Sequence, residues 1–387
     1  MPTRMTLRSG LAMAGTLVPG ILALHGCTLD LSTLLWPERA PAQLTLADVF
    51  QDPVVYPLDR VANSLRLADL DGDGRGDLVF LADPNSTALG VLHRGADGFD
   101  SATYTELERG WMSVTPADLD GDDTTDLVLA DYTQGVAMLP GRGDGTFEDL
   151  RHLASGTQFP NVVLPADLDL DGDVDLAIVY FSAQDVSVSL NVGGGHFAWP
   201  RFYEALLDQS FGGAVTDLDG DGFPDLLVIG KQAAPGSFFR NRGDGTFAPA
   251  VAFASDVPRI ADVVPADVDG DGNLDLLAGS YDGIFLLHNE GGGTLAPAVS
   301  IYPAASLTLL AVDFTGDGAP DLVTDFGLLV NNGDGTFGPL IDLGVTFRPN
   351  SVVAGDVNGD GLPDLAGLAN GGVTILLGRG PRETAAP

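Results

Sequence analysis

Seven times along its 387 residues the chain writes the same short acidic loop, and that repetition limits what it can fold into. The pattern is Asp-x-Asp-x-Asp-Gly-x-x-Asp-Leu with tolerated changes, beginning at Asp69, Asp118, Asp167, Asp217, Asp267, Asp313 and Asp356. The steps between starts are 49, 49, 50, 50, 46 and 43 residues. Each copy lies between short apolar runs, such as Ser113-Val114-Thr115-Pro116-Ala117 before the second and Asp126-Leu127-Val128-Leu129-Ala130 after it. A third run follows, Gly135 to Leu139. Then comes a turn of the form Gly-Asp-Gly-Thr-Phe, as at Gly143 to Phe147, Gly243 to Phe247 and Gly333 to Phe337, and a fourth extended run. Short apolar runs bounded by Gly, Asp and Asn are strands and hairpins. Four strands in a unit of this length make a propeller blade. One such sheet cannot bury both faces alone, and stacking blades around an axis buries them.

The ends close the ring. The seventh copy stops after its third run, Val373 to Leu377, and enters a polar tail. Phe50 to Tyr56 has the form of the missing strand; it matches Phe247 to Phe253. The expected fold is therefore an all-β, seven-bladed propeller over residues 44–380 whose N-terminal strand completes the last blade, with a disordered tail at 381–387. The residue before the first Asp is small in most copies (Ala68, Ala117, Ala166, Ala266, Gly355), which suits strands crowded at a hub.

The acidic loop has the donor set of a hard cation. Calcium takes six to eight oxygen ligands, and Gly at the sixth position allows the sharp turn around the ion. Carboxylates at positions 1, 3, 5 and 9 would repel one another without a cation. The expected ligands are Asp69, Asp71, Asp73 and Asp77; Asp118, Asp120, Asp122 and Asp126; Asp167, Asp169, Asp171 and Asp175; Asp217, Asp219, Asp221 and Asp225; and Asp267, Asp269, Asp271 and Asp275. The sixth loop offers Asp313, Thr315, Asp317 and Asp321, and the seventh Asp356, Asn358, Asp360 and Asp364. These two lack one acid each and are expected to bind more weakly. Asp123 stands where the second loop should have Gly, and Asp tolerates the left-handed region. Up to seven Ca2+ ions are expected. Magnesium seldom has an all-protein cage. Zinc is disfavoured because no Cys or His accompanies the loops.

The run Phe211-Gly212-Gly213-Ala214-Val215-Thr216-Asp217 through Gly230 resembles the FG-GAP, or VCBS, repeat, the unit of integrin α-subunit heads and of many bacterial surface proteins. The resemblance covers about residues 44–380. It implies a calcium-stabilised propeller used for binding, without naming a ligand.

The first residues read as an address. Arg4 and Arg8 precede an uncharged, mostly apolar stretch, Leu11 to Leu24, that is short for a membrane span. Leu24-His25-Gly26-Cys27 resembles the bacterial lipobox, although His25 departs from it. Cys27 is the sole cysteine, so no intrachain disulfide forms, and it is the expected site of a diacylglycerol anchor. Residues 1–26 then form a signal peptide and residues 27–43 a tether. The resemblance implies an exported protein anchored by this lipid, with Thr28 after the Cys directing it to the outer membrane of a Gram-negative cell.

Net charge is −36, which argues against a nucleic-acid partner. Arg142-Gly143-Asp144 and Arg242-Gly243-Asp244 spell an adhesion tripeptide but sit in the turn where Asn332-Gly333-Asp334 serves another blade. His93 and His288 occupy like places near the end of the third strand. No histidine forms a nucleophile–base pattern, so an enzyme is not expected. In integrin-type propellers ligands use the face opposite the metal loops. Here that face would carry Arg60, Arg109, Trp111, Tyr132, Phe159, Phe211, Lys231, Arg259, Tyr281 and Arg348. Arg60, Arg109, Arg259 and Arg348 fall eight or nine residues before their loops, and with Trp111 and Phe211 they suit an anionic glycan or acidic peptide. The alternative is that these arginines offset the acidic surface or pair with Asp208 and Asp262 nearby. Three classes follow: a monomeric surface module binding a glycan or protein, a structural component of the envelope, and, as outsider, a carbohydrate-active enzyme.

Overall fold

A computed structural model describes residues 44–380 apart from 84, 132, 134, 154–158, 182–184, 208–209, 231–235, 255 and 370. Outside that span it describes only the backbone of two strands, Ala23–Leu24 paired antiparallel with Cys27–Thr28. These belong to a first unit, Met1–Leu44, separate from the second, Thr45–Pro387. The side chain of Cys27, the signal and tether assigned to 1–43, the tail 381–387, and Tyr132 and Lys231 lie outside the described residues.

Seven four-stranded antiparallel sheets form the blades of a β-propeller. In six of them the strands follow chain order. Blade 4 shows the plan: Ser210–Thr216, Asp225–Gly230, Gly236–Phe239 and Val251–Phe253. The second strand is buried on both faces in every blade, as an apolar run such as Asp225-Leu226-Leu227-Val228-Ile229 requires. Side chains from adjacent sheets mesh between blades. Leu168, Ala177 and Val179 of blade 3, for example, pack with Leu226, Val228 and Phe239 of blade 4.

Blade 7 is built from both ends of the propeller. Val352–Gly355, Asp364–Ala369 and Gly372–Leu376 come from the C-terminal part, and Val54–Pro57 adds the fourth strand with Val54 opposite Ile375. Phe50 bridges Gly378 as Phe247 bridges Asn241, so the expected stand-in for the turn phenylalanine holds residue by residue. The ring of Phe50 is buried against Phe314 of blade 6, centroids 5.0 Å apart. A four-residue helix, Leu46–Val49, precedes it; Thr45 and Asp48 form its capping box.

Neighbouring blades are also tied by a polar clamp. Asn191, Asn241, Asn289 and Asn331 are buried at the end of the third strand. Each side-chain amide donates to a carbonyl of the preceding blade (Leu119, Leu168, Leu218 and Val268) and to a carbonyl of its own acidic loop.

Candidate metal loops and the opposite cavity

Each acidic loop is the hairpin between the first and second strands. The residue before its first Asp pairs with the ninth-position Asp, as Ala68 does with Asp77 and Ala117 with Asp126. The geometry assigns each position a different task.

First-position acids cap the loop backbone. Asp217 accepts from the amides of Gly220, Asp221 and Gly222, and Asp69 from those of Gly72 and Gly74. Asp118, Asp167, Asp267, Asp313 and Asp356 do the same in their loops. The chain turns back on itself here with positive φ at positions 4 and 6, as at Gly220 (73°) and Gly222 (90°). Asp123, in the place of Gly, has φ 65°, and Leu170 takes position 4 of the third loop at 59°.

Fifth-position acids, Asp73, Asp122, Asp171, Asp221, Asp271, Asp317 and Asp360, each accept one amide two residues on. Ninth-position acids are more constrained than the sequence alone suggests. Asp77, Asp126, Asp175, Asp225, Asp275, Asp321 and Asp364 are all buried. One oxygen of each accepts the amide of the loop's second residue, and the other an amide just after the third strand. For Asp225 these are Leu218, at 3.2 Å, and Asn241, at 2.8 Å. They fasten the loop to the sheet and keep only their remaining lone pairs for an ion.

Third-position acids point to an ion most directly. The Oδ1 atoms of Asp120, Asp169 and Asp219 are buried and accept no hydrogen bond. Burial, and after it the neighbouring acids such as Asp122 and Asp118, push these carboxyls up. A buried anionic oxygen without a donor is costly unless a cation takes it. Ligand atoms of Asp69, Asp71 and Asp73 lie within 4.8 Å of one another, as do those of Asp118, Asp120 and Asp122, and of Asp167, Asp169 and Asp175. This donor set fits a divalent cation held by oxygens. The loops are not equal. In the sixth, Thr315 replaces an acid and its hydroxyl faces Asp313; in the seventh, the Asn358 amide donates to Asp360. In the fourth, Arg240 meets Asp219 at 2.9 Å, and in the first, Arg75 meets Asp73 at 2.6 Å.

The expectation that no histidine accompanies the loops is corrected by the fold. His93 and His288 stand far from the acids in sequence but directly beside them in space. One group joins Asp71, Asp77 and His93, another Asp269, Asp275 and His288. Their like positions near the end of the third strand were visible in the sequence; the folding of that strand against the loop was not.

At the other end of the innermost strands a cavity of about 930 Å3 opens, lined by Asn63, Asn161 and Gly212 of those strands, by Asn350 in the turn before blade 7, and by Arg109 and Trp111 of the loop entering blade 2. Of the six residues singled out on this face as suiting a ligand, Arg109 is exposed and lines the cavity, while Trp111 is only 3% exposed and belongs to its wall. Arg60 pairs with Asp83 and Glu106, and Arg259 with Asp282 at 2.7 Å, so these two follow the charge-pairing alternative, with partners other than Asp208 and Asp262. Arg348 donates to the carbonyl of Ala62 beside a smaller recess that Arg60 also lines. The side chain of Phe211 lies outside the described residues. In the adhesion-like tripeptides, Asp144 and Asp244 accept from Thr146 and Thr246 and close the turn.

Fold and loops together define a β-propeller whose blades each carry one acidic, cation-type hairpin. FG-GAP-like repeats match residues 69–129, 118–178, 167–228, 217–278 and 267–324, and an FG-GAP repeat matches 348–376. The chain belongs to the FG-GAP repeat family. No curated protein matches it. Among solved structures it is similar to an Agrocybe aegerita lectin described in the recognition of non-reducing terminal N-acetylglucosamine, with 21% identity, TM-score 0.55, covering 74% of this chain and 81% of that one. It is also similar to BBS1N, solved in complex with ARL6DN, with 13% identity, TM-score 0.60, and 87% and 98% covered. At these identities the likeness is one of fold.

Proposed function

We propose that the protein is an exported, calcium-loaded propeller that acts as a binding module for a glycan or protein partner, and not as an enzyme. The observation that carries this reading is the division of labour between the two ends of the blades. The loop end spends its carboxylates on its own backbone, and calcium bound there would leave few of them for anything else. The other end offers a polar, arginine-edged cavity on a rigid frame, where binding sites usually lie. A lectin among the structures of similar fold supports a glycan as the first class to test. A lipid on Cys27 would hold the module at the cell envelope, in the outer membrane of a Gram-negative cell.

Glycan-array binding and pull-down from an envelope fraction, each with and without chelator, test the reading. Arg109→Ala should leave the melting curve unchanged and weaken any captured ligand. If that variant keeps full affinity while loop variants that still fold lose it, the binding face is the other one. Mass spectrometry showing an unmodified Cys27 inside a longer mature chain would end the anchoring part of the proposal.

A further inference from the structure

Two of the seven loops are chemically unlike the rest. The residue just after the third strand differs in chemistry from blade to blade. In blades 2, 3, 4, 6 and 7 it is Pro140, Leu190, Arg240, Val330 and Leu377, none of which offers a metal a donor. In blades 1 and 5 it is His93 and His288. Both imidazoles turn Nδ1 inward, and in both that nitrogen is buried with no hydrogen-bond partner.

The distances discriminate between readings. His288 Nδ1 lies 3.4 Å from Asp269 Oδ2 and 3.5 Å from Asp275 Oδ1, and His93 Nδ1 lies 3.7 Å from Asp77 Oδ2. An imidazolium paired with these acids would sit closer, since N–H···O bonds run at about 2.7–3.2 Å. Two ligands on one tetrahedral ion, each about 2.0–2.1 Å from the metal, are separated by about 3.3–3.4 Å. In blade 5 the 3.4 Å separation from Asp269 matches such a coordination edge, and the 3.5 Å separation from Asp275 lies just beyond it. The site is also preorganised. Backbone amides of Asn289 and Val268 orient Asp275, and those of Arg94 and Leu70 orient Asp77. Glycines of the next blade, Gly145 and Gly335, lie against the imidazole edges; a Cβ on either would collide with the ring.

We propose that the loops of blades 1 and 5 are mixed imidazole–carboxylate sites for a first-row transition ion of the zinc type, with Asp71, Asp77 and His93 in one and Asp269, Asp275 and His288 in the other. Imidazole nitrogen favours such ions over calcium, which prefers oxygen. The inference does not depend on calcium filling the other five loops.

The test is metal analysis of the full chain after exposure to Zn2+ in calcium excess and removal of free metal. Two zinc equivalents should be retained. His93→Leu and His288→Leu should each lose one, and the double variant both, with zinc affinity at each site down by at least about tenfold. Leu is the natural occupant in blade 3, so these variants should fold, and an unaltered melting curve in calcium verifies it. Co2+ in place of zinc should give the visible absorption of a four-coordinate site in the parent and not in the double variant. A parent that retains no zinc overturns the proposal. So does a folded double variant that retains two equivalents.

Discussion

The side-chain amide of Asn241 in blade 4 donates to the main-chain carbonyl of Leu168 in blade 3 at 2.7 Å, and that carbonyl belongs to the acidic loop of the earlier blade. The same amide holds Pro224 of its own loop, and its oxygen accepts the amide of Gly243. One buried side chain thus couples two loops and a turn. Asn241→Ala would strand two buried carbonyls, and a loss of about 2–3 kcal/mol is expected by chemical denaturation. Asn332→Ala, on the exposed position of the sixth turn, should stay within about 0.5 kcal/mol. Equal effects would show that the clamp contributes nothing specific.

Removal of calcium should loosen the whole ring. Sites of extracellular type bind at roughly 10⁻⁴–10⁻³ M. At about ten times Kd each filled site adds about 1.4 kcal/mol, and a full set on the order of 10 kcal/mol. Chelation should lower Tm by roughly 10–20 °C for a chain of this size. Asp221→Ala should reduce the calcium-dependent shift more than Asp317→Ala, because the sixth loop already has Thr315 in place of an acid. A melting curve indifferent to chelator would remove calcium from the account.

The pH dependence should change sign with metal. Burial pushes Asp126, Asp175, Asp225, Asp321 and Asp364 up from 3.8 to about 6, against the opposing pull of their amide donors. A carboxyl raised on folding adds stability at low pH that fades as pH climbs through its folded value. Metal-free protein should therefore melt higher at pH 5 than at pH 7. Bound calcium holds the carboxylates ionised, so the calcium-induced rise in Tm should be larger at pH 7. Melting curves in chelator and in calcium at both pH values check each sign separately.

Leu170 has φ 59° at a loop position that is glycine in the other six copies, and its side chain is 53% exposed. Left-handed backbone costs a non-glycine residue roughly 1–2 kcal/mol, part of which glycine's freedom in the unfolded chain gives back. Leu170→Gly should stabilise the protein by about 0.5–1 kcal/mol. A destabilised variant would mean that Leu170 makes a contact of its own.

Deleting residues 44–58 removes the pairing of Val54–Pro57 with Gly372–Leu376 and bares that strand's edge. Aggregation or a broadened, non-cooperative transition is expected in sedimentation and calorimetry. A monomer that melts like the parent would place blade closure elsewhere.

Much of this was legible in the sequence for a physical reason. Repeats expose the strand order because each blade solves the same burial problem, and Phe50 aligns with Phe247 in the sequence alone. The carboxylates were legible because their spacing is local. What was hidden depends on chain brought back from a distance. Asp225 meets the amide of Asn241 across 16 residues, and Asn241 meets Leu168 across 73. His288 reaches Asp275 only once the third strand folds over the second. Trp111 reads as a ligand group because it is an aromatic grouped with arginines in the loops opposite the acidic ones; its burial comes from the packing of two blades, which no local pattern encodes.

The contact of Phe50 with Arg379, 329 residues further on, sets an order of events in time. Among the blade strands Val54–Pro57 is synthesised first, and its pairing partner among the described residues, Gly372–Leu376, is synthesised last. Six sheets can assemble as they appear, while the opening strand waits unpaired for almost the whole length of the chain. Maturation then ends in a single latching step between the oldest and the newest segments. A chain truncated near its end would carry six finished sheets and still be unable to latch, and its exposed opening strand would mark it as incomplete.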